Sequence, residues 1–150
     1  MQACKLVYLV DTNVISAGAP TKARVSPELG LWMDRHSDLL YLSVITVAEV
    51  EDGIARVRRQ GTAQKAAHLT DWLETVLHLY GNRVLAFDIP ASRIAGRLSD
   101  LARERGHAPG FADLAIAATA QAHHLTVLTR NLRHFQPLDV PVHDLFVSLP

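Results

Sequence analysis

Apolar positions along this chain fall into two alternating patterns. Short unbroken runs occur as LVYLV at 6–10, LLYLSV at 39–44, RVLAFD at 83–88 and LTVLT at 125–129. They are rich in strand formers and read as strands covered on both faces, as in a parallel sheet. Between them the apolar residues recur every three or four positions. Ser26 before Pro27 opens a helix through Leu31 and Trp32 to about His36, a cap followed by proline at the first helical position. Val47, Val50, Ile54 and Val57 make one face of a second helix, which Gly61 stops. A third begins at Thr62, turns Ala66, Leu69, Leu73, Val76 and Leu77 inward, and ends before Gly81. ASRIAGRLSDLARERG repeats the form up to Gly106, and FADLAIAATAQAHH is so apolar that it must be deeply buried. Strands alternating with helices predict βα units, and so an α/β fold: a mostly parallel central sheet with helices on both faces.

Composition narrows the function classes. At 150 residues, with 49% hydrophobic and 20% charged positions, the chain fits one globular domain spanning 1–150. Lys and Arg number 15 and Asp and Glu 15, so any surface for a polyanion must be local. The single cysteine, Cys4, excludes an intrachain disulfide and a zinc site with several thiolates, and a cytoplasmic home is expected. The first apolar run is too short for an export signal or a membrane span, and Asp11 cuts it off.

That aspartate sits at the carboxyl end of a strand, where open parallel sheets bind ligands. Glu49, in VITVAEV, and Asp113, in GFADLAIAATA, share its apolar sequence context. Three carboxylates among residues expected to be buried would raise one another's pKa, and a bound cation resolves the conflict. Oxygen ligands without cysteine favour Mg²⁺ or Mn²⁺, shared with a phosphate, which points to phosphoester cleavage. Each acid also has an ordinary reading: Asp11 as a cap of the short helix TNVISA, Glu49 as the partner of Thr46 in a capping box, and Asp113 as complement to its helix dipole. Asp88, followed two residues on by Pro90, reads as a helix start.

VDTNVISA, LSVITVAEVEDGIARV and GFADLAIAATAQAHHLTVLTRNLRHF, in this order and from Leu6 to Phe135, resemble the successive motifs of PIN-domain ribonucleases of the VapC and FitB toxin type. The resemblance implies a three-layer α/β/α PIN-like fold with about five strands, and Mg²⁺- or Mn²⁺-dependent cleavage of RNA. It further implies a VapB-like antitoxin partner and a homodimer. By motif position Asp11, Glu49 and Asp113 become the metal-site and catalytic residues. Thr12, Asn13 and Thr129 are expected to orient carboxylates and waters, and Arg130 to meet the phosphate backbone. Arg56, Arg58, Arg59, Arg103 and Arg105 could extend a track for RNA, although a solvated face is their ordinary reading.

The fourth position departs from the pattern. TRNLRHF carries Asn131 and His134 where family members commonly place an acid. Asn131 offers a carbonyl oxygen without charge, and His134 reads as an exposed loop histidine. The departure favours one metal over two, and leaves a catalytically degenerate module that binds RNA or protein as the rival. A phosphotransferase with a nucleophilic aspartate is disfavoured, because Asp11 does not begin a DxD pair, position 13 being Asn, and no lysine follows Lys65.

Overall fold

In the computed structural model, residues 5–20 and 26–150 are described; Cys4 lies outside them. Five strands form one parallel sheet: β1 (Tyr8–Val10), β2 (Leu40–Ser43), β3 (Val84–Leu85), β4 (Thr126–Leu128) and β5 (Val142–His143), in the order β3-β2-β1-β4-β5. The unbroken apolar runs are explained by the alternation of side chains across the sheet. Leu9 and Val127 point into one layer of core with Ile116 and Phe135, while Tyr8, Val10 and Leu128 point into the other with Trp32 and Val76. Both faces are covered, so neither can afford polar residues.

Seven helices complete the described chain: α1 (Thr12–Ser16), α2 (Pro27–Arg35), α3 (Val44–Arg59), α4 (Ala63–Tyr80), α5 (Ile89–Glu104), α6 (Phe111–Ala122) and α7 (Leu132–Phe135). The caps follow the residues. Ser26 Oγ accepts from Leu29 N–H, Asp88 Oδ1 accepts from Ala91 N–H, and Gly61, Gly81 and Gly106 take the positive φ that ends a helix. In α3, however, the capping residue is Ser43, whose Oγ accepts from Ile45 N–H at 3.0 Å. Thr46 is therefore inside the helix, and the capping box with Glu49 does not form.

Two departures from the expected elements have local causes. The strand expected over 83–88 shrinks to Val84–Leu85, because Arg83 belongs to a preceding turn and its guanidinium donates to the carbonyls of Ser37, Leu40 and Leu79. Strand β5 gave no periodic signal, being two residues directly after Pro141 at the sheet edge.

The order of strands decides where a ligand can enter. From β1 the chain proceeds outward to β2 and β3, then returns to place β4 and β5 on β1's other side. The carboxyl end of β1 is thus the switch point, where the diverging connections open a crevice.

Candidate active site

Asp11 follows the last residue of β1 at that crevice. Its N–H still pairs with Leu128 O at 2.9 Å, continuing the ladder to β4, while its carboxylate caps α1 by accepting from Thr12 N–H at 2.8 Å. The other carboxylate oxygen accepts from Thr129 Oγ1 at 2.8 Å. Asp11 is only 4% exposed, and Thr129 is fully buried. Desolvation raises the Asp11 pKa from 3.8 to about 6, against the two hydrogen bonds that lower it; the nearby charges of Asp113 and Glu49 add to the rise. The helix-cap reading of Asp11 is met by this geometry, and its second oxygen is engaged by Thr129 at the crevice.

Thr129 completes its own hydrogen bonding in this network, since its Oγ1 also accepts from Asn131 N–H at 2.9 Å. Asn13 Oδ1 accepts from Arg130 N–H at 3.2 Å. The DTN and TRN segments, more than a hundred residues apart in sequence, are thus tied together at the ends of adjacent strands.

Glu49 reaches the site from the second turn of α3. Its Oε1 lies 2.6 Å from Thr12 Oγ1, which is also 3.0 Å from the buried Thr46 Oγ1. A hydroxyl carries one proton, and the shorter contact gives it to the carboxylate. Asp113 lies in the first turn of α6, and its Oδ2 is 2.9 Å from His134 Nδ1. Sequence reasoning treated His134 as a loop residue; it sits on α7, beside Phe135, which is fully buried and anchors that short helix. The only sequence signal for this contact was the missing acid in TRNLRHF.

The expected apolar surroundings hold for Asp11 alone. Glu49 is exposed, since α3 buries the single stripe Thr46, Val50 and Ile54 and Glu49 lies off it. Phe111, near Asp113 in GFADLAIAATA and expected to be buried, is 66% exposed at the start of α6, and the Asp113 side chain is 23% exposed. Helix positions one residue apart point about 100° away from each other, so apolar sequence neighbours do not enclose a helical carboxylate.

Among the described residues, no three His, Cys, Asp or Glu side chains are gathered tightly enough to enclose an ion by themselves. Two hollows open from the carboxylates on different flanks. One, of about 400 Å³, runs from Thr12 and Glu49 along α3 and α4 past Ile54, Leu69 and Trp72, with Arg56 and Lys65 also lining it. The other, of about 320 Å³, adjoins Asp113 and is lined by His107, Gly110, Arg133 and His134. Of the arginines considered as a track, Arg56 is paired with Asp52, Arg103 with Asp100 and Arg105 with Asp139. For these three the solvated-face reading is the better one. No described helix is long and apolar enough to cross a membrane.

Comparison with known proteins gives the same picture at the scale of the chain. The model of the PIN domain matches residues 8–139. The toxin FitB of Neisseria gonorrhoeae is 38% identical over 138 residues, covering 91% of this chain and 96% of that protein. The VapC ribonuclease Y4jK of Sinorhizobium fredii is 38% identical over 132 residues, covering 87% and 91%. The crystal structure of FitAcB from Neisseria gonorrhoeae superposes with a TM-score of 0.81 at 36% identity, covering 95% of this chain and all of that one.

Proposed function

We propose, from the premise that this chain belongs to the PIN-domain family, that it is a ribonuclease acting as the toxin of a toxin–antitoxin pair. The reading rests on Asp11 at the switch-point crevice, with Glu49 held 2.6 Å from Thr12 beside it and Asp113 in the first turn of α6, both near enough for their charges to add to the rise of its pKa. The names of its relatives, a toxin and a ribonuclease, support the same class.

The donor set fits a hard divalent cation, Mg²⁺ or Mn²⁺. All three side chains offer carboxylate oxygens, and Mg²⁺ is ordinarily held by one or two carboxylates while keeping several waters. Among the described residues the acids are not gathered tightly enough to enclose an ion, so water would have to complete its coordination. Asp11, Glu49 and Asp113 would hold the ion, directly or through water. Bound there, it supplies activation of a water nucleophile at neutral pH and polarisation of the phosphate oxygens.

The remaining roles belong to the chain itself. Thr129 and the Thr12 N–H fix both oxygens of Asp11, so the carboxylate has one orientation before substrate arrives. Thr12 Oγ1 holds Glu49 toward β1, and Asn13 holds the backbone of Arg130. Arg130 meets a backbone phosphate, and the exposed Asn131 offers a carbonyl to water or substrate. An antitoxin covers the acidic crevice in the inhibited state, the protein pairs with a second copy of itself, and it works in the cytoplasm.

The test is cleavage of RNA by the purified, partner-free protein with Mg²⁺ or Mn²⁺. Activity is expected to vanish with EDTA and in folded Asp11→Asn and Asp113→Asn variants. Cleavage that survives both substitutions would overturn the site. A second reading, a degenerate module that binds without cutting, is motivated by Asn131 and by His134 occupying Asp113. Absence of Mn²⁺ binding at millimolar concentration in calorimetry would decide for it.

A further inference from the structure

Beside the acidic crevice, just past the end of β4, the guanidinium of Arg130 is held by an aromatic ring. Arg56, Arg103 and Arg105 are each engaged by a carboxylate, whereas no ion pair among the described residues includes Arg130. Its guanidinium lies over the ring of Phe146, with Cζ 4.1 Å from the ring centroid. Both halves of this contact are built from beneath. The Arg130 backbone is tied to Asn13, and the preceding residue, Thr129, is the buried donor to Asp11. Phe146 is carried on a turn that Asp144 closes, its Oδ1 accepting from Phe146 N–H at 2.8 Å and its carbonyl from Val147 N–H at 3.2 Å. Leu145 pins that turn into the core that also holds Val10 and Leu128.

A surface arginine ordinarily loses much of its rotamer freedom when it grips a phosphate. A guanidinium already laid on an aromatic face has lost part of that freedom beforehand, and its N–H edges stay available for phosphate oxygens. Phe146 remains 37% exposed, so burial of its own ring is incomplete, and the Arg130 guanidinium covers part of it.

We infer that Phe146 is a positioning residue for substrate: it braces the Arg130 guanidinium beside the crevice that Asp11 lines, so that the guanidinium edge receives a backbone phosphate of RNA. The inference rests on the ribonuclease reading. It extends the site to the segment after β5, which none of the sequence motifs includes.

The experiment measures binding of a fluorescent single-stranded RNA oligonucleotide by anisotropy, on the full chain in EDTA so that nothing is cut, over a series of salt concentrations. Arg130→Gln is expected to weaken binding and to flatten the slope of log affinity against log salt by about 0.7, one phosphate contact on a single strand. Phe146→Leu keeps the charge, so it should weaken binding about two- to fivefold, the scale of an exposed cation–π contact, with the slope retained. Phe146→Tyr should bind like wild type, and the double variant Arg130→Gln with Phe146→Leu no more weakly than Arg130→Gln alone. Thermal melts check that each variant is folded. An additional loss in the double variant would overturn the inference, because Phe146 would then be touching RNA itself. Wild-type binding that Arg130→Gln leaves unchanged in affinity and slope would overturn it while sparing the ribonuclease reading. A wild-type chain that binds no RNA would overturn the inference, and the ribonuclease reading with it if that chain also fails to cut RNA with Mg²⁺ or Mn²⁺.

Discussion

Asp11 and Asp113 each accept a side-chain hydrogen bond from the segment TRNLRHF, at 2.8 Å from Thr129 and 2.9 Å from His134. The near-equal distances conceal different physics. Thr129 is fully buried, it donates to a carboxylate that is 4% exposed, and it is itself satisfied by the Asn131 N–H. His134 has a side chain 56% exposed and meets a carboxylate that water also reaches. At the first contact every partner is fixed by strand pairing, so loss of one group leaves the others unsatisfied. At the second, water can replace whichever partner is removed, and the contact is worth what exposed pairs are worth. One half of the site is architecture, and the other half is adjustable.

The largest effect should come from Asp11 itself. Asp11→Asn is expected to reduce RNA cleavage at least about a hundredfold, the scale on which losing one preorganised electrostatic group acts. The comparison breaks if Asp113→Asn is lethal to activity while Asp11→Asn is mild. Stability should move the other way in metal-free protein. The Asp11 pKa is raised from 3.8 to about 6, so the fold favours the protonated form. That contribution is fully present below about 3.8 and is lost as the pH rises through about 6. At pH 8, Asp11→Asn should therefore exceed wild type by on the order of 2 to 3 kcal/mol in denaturant unfolding, and the gap should close toward pH 4. An equal gap at both pH values would remove the desolvated charge from the account.

Thr129→Val comes next. It keeps the shape of the side chain but deprives Asp11 of a donor and the Asn131 N–H of its acceptor. A loss of about 1–3 kcal/mol is expected, with the Asp11 pKa moving further up, readable by NMR titration. The smallest effect sharpens the contrast from the other side. His134→Ala should change stability by less than about 0.5 kcal/mol, as for an ordinary surface substitution. A cost comparable to that of Thr129→Val would mean that the two contacts are alike after all.

The layered fold was readable because strands covered on both faces leave unbroken apolar runs, and because Gly61, Gly81 and Gly106 mark helix ends where φ turns positive. Strand β5 was not readable. Two residues after a proline carry no period, and only β4 beside them gives their pairing meaning. Of the site, Asp11, Glu49 and Asp113 were visible as charges in apolar sequence, yet the physical argument attached to them held for one. A strand residue between two covered faces is buried with its neighbours, whereas Glu49 and Asp113 are on helices, where adjacent residues point elsewhere. Thr12, Asn13 and Thr129 were named by motif position, but the partner that each meets was not readable from the sequence. Thr12 with Glu49, Thr129 with Asp11 and Arg130 with Phe146 are contacts between residues distant in sequence, created by the pairing of β1 with β2 and β4 and of β4 with β5.

The strand-to-helix elbows limit how this fold can change length. Val10 is followed by a single residue before α1, and β2 passes into α3 at Ser43 with none between. An extra residue at Ser43 would turn Glu49 by about 100° around α3 and carry it away from Thr12. The same insertion at Gln60–Thr62, between α3 and α4, would leave every partner in the crevice where it is. Insertions and deletions that keep the protein working should therefore gather at the far ends of the helices, and the strand-to-helix elbows should keep their length even where their letters vary.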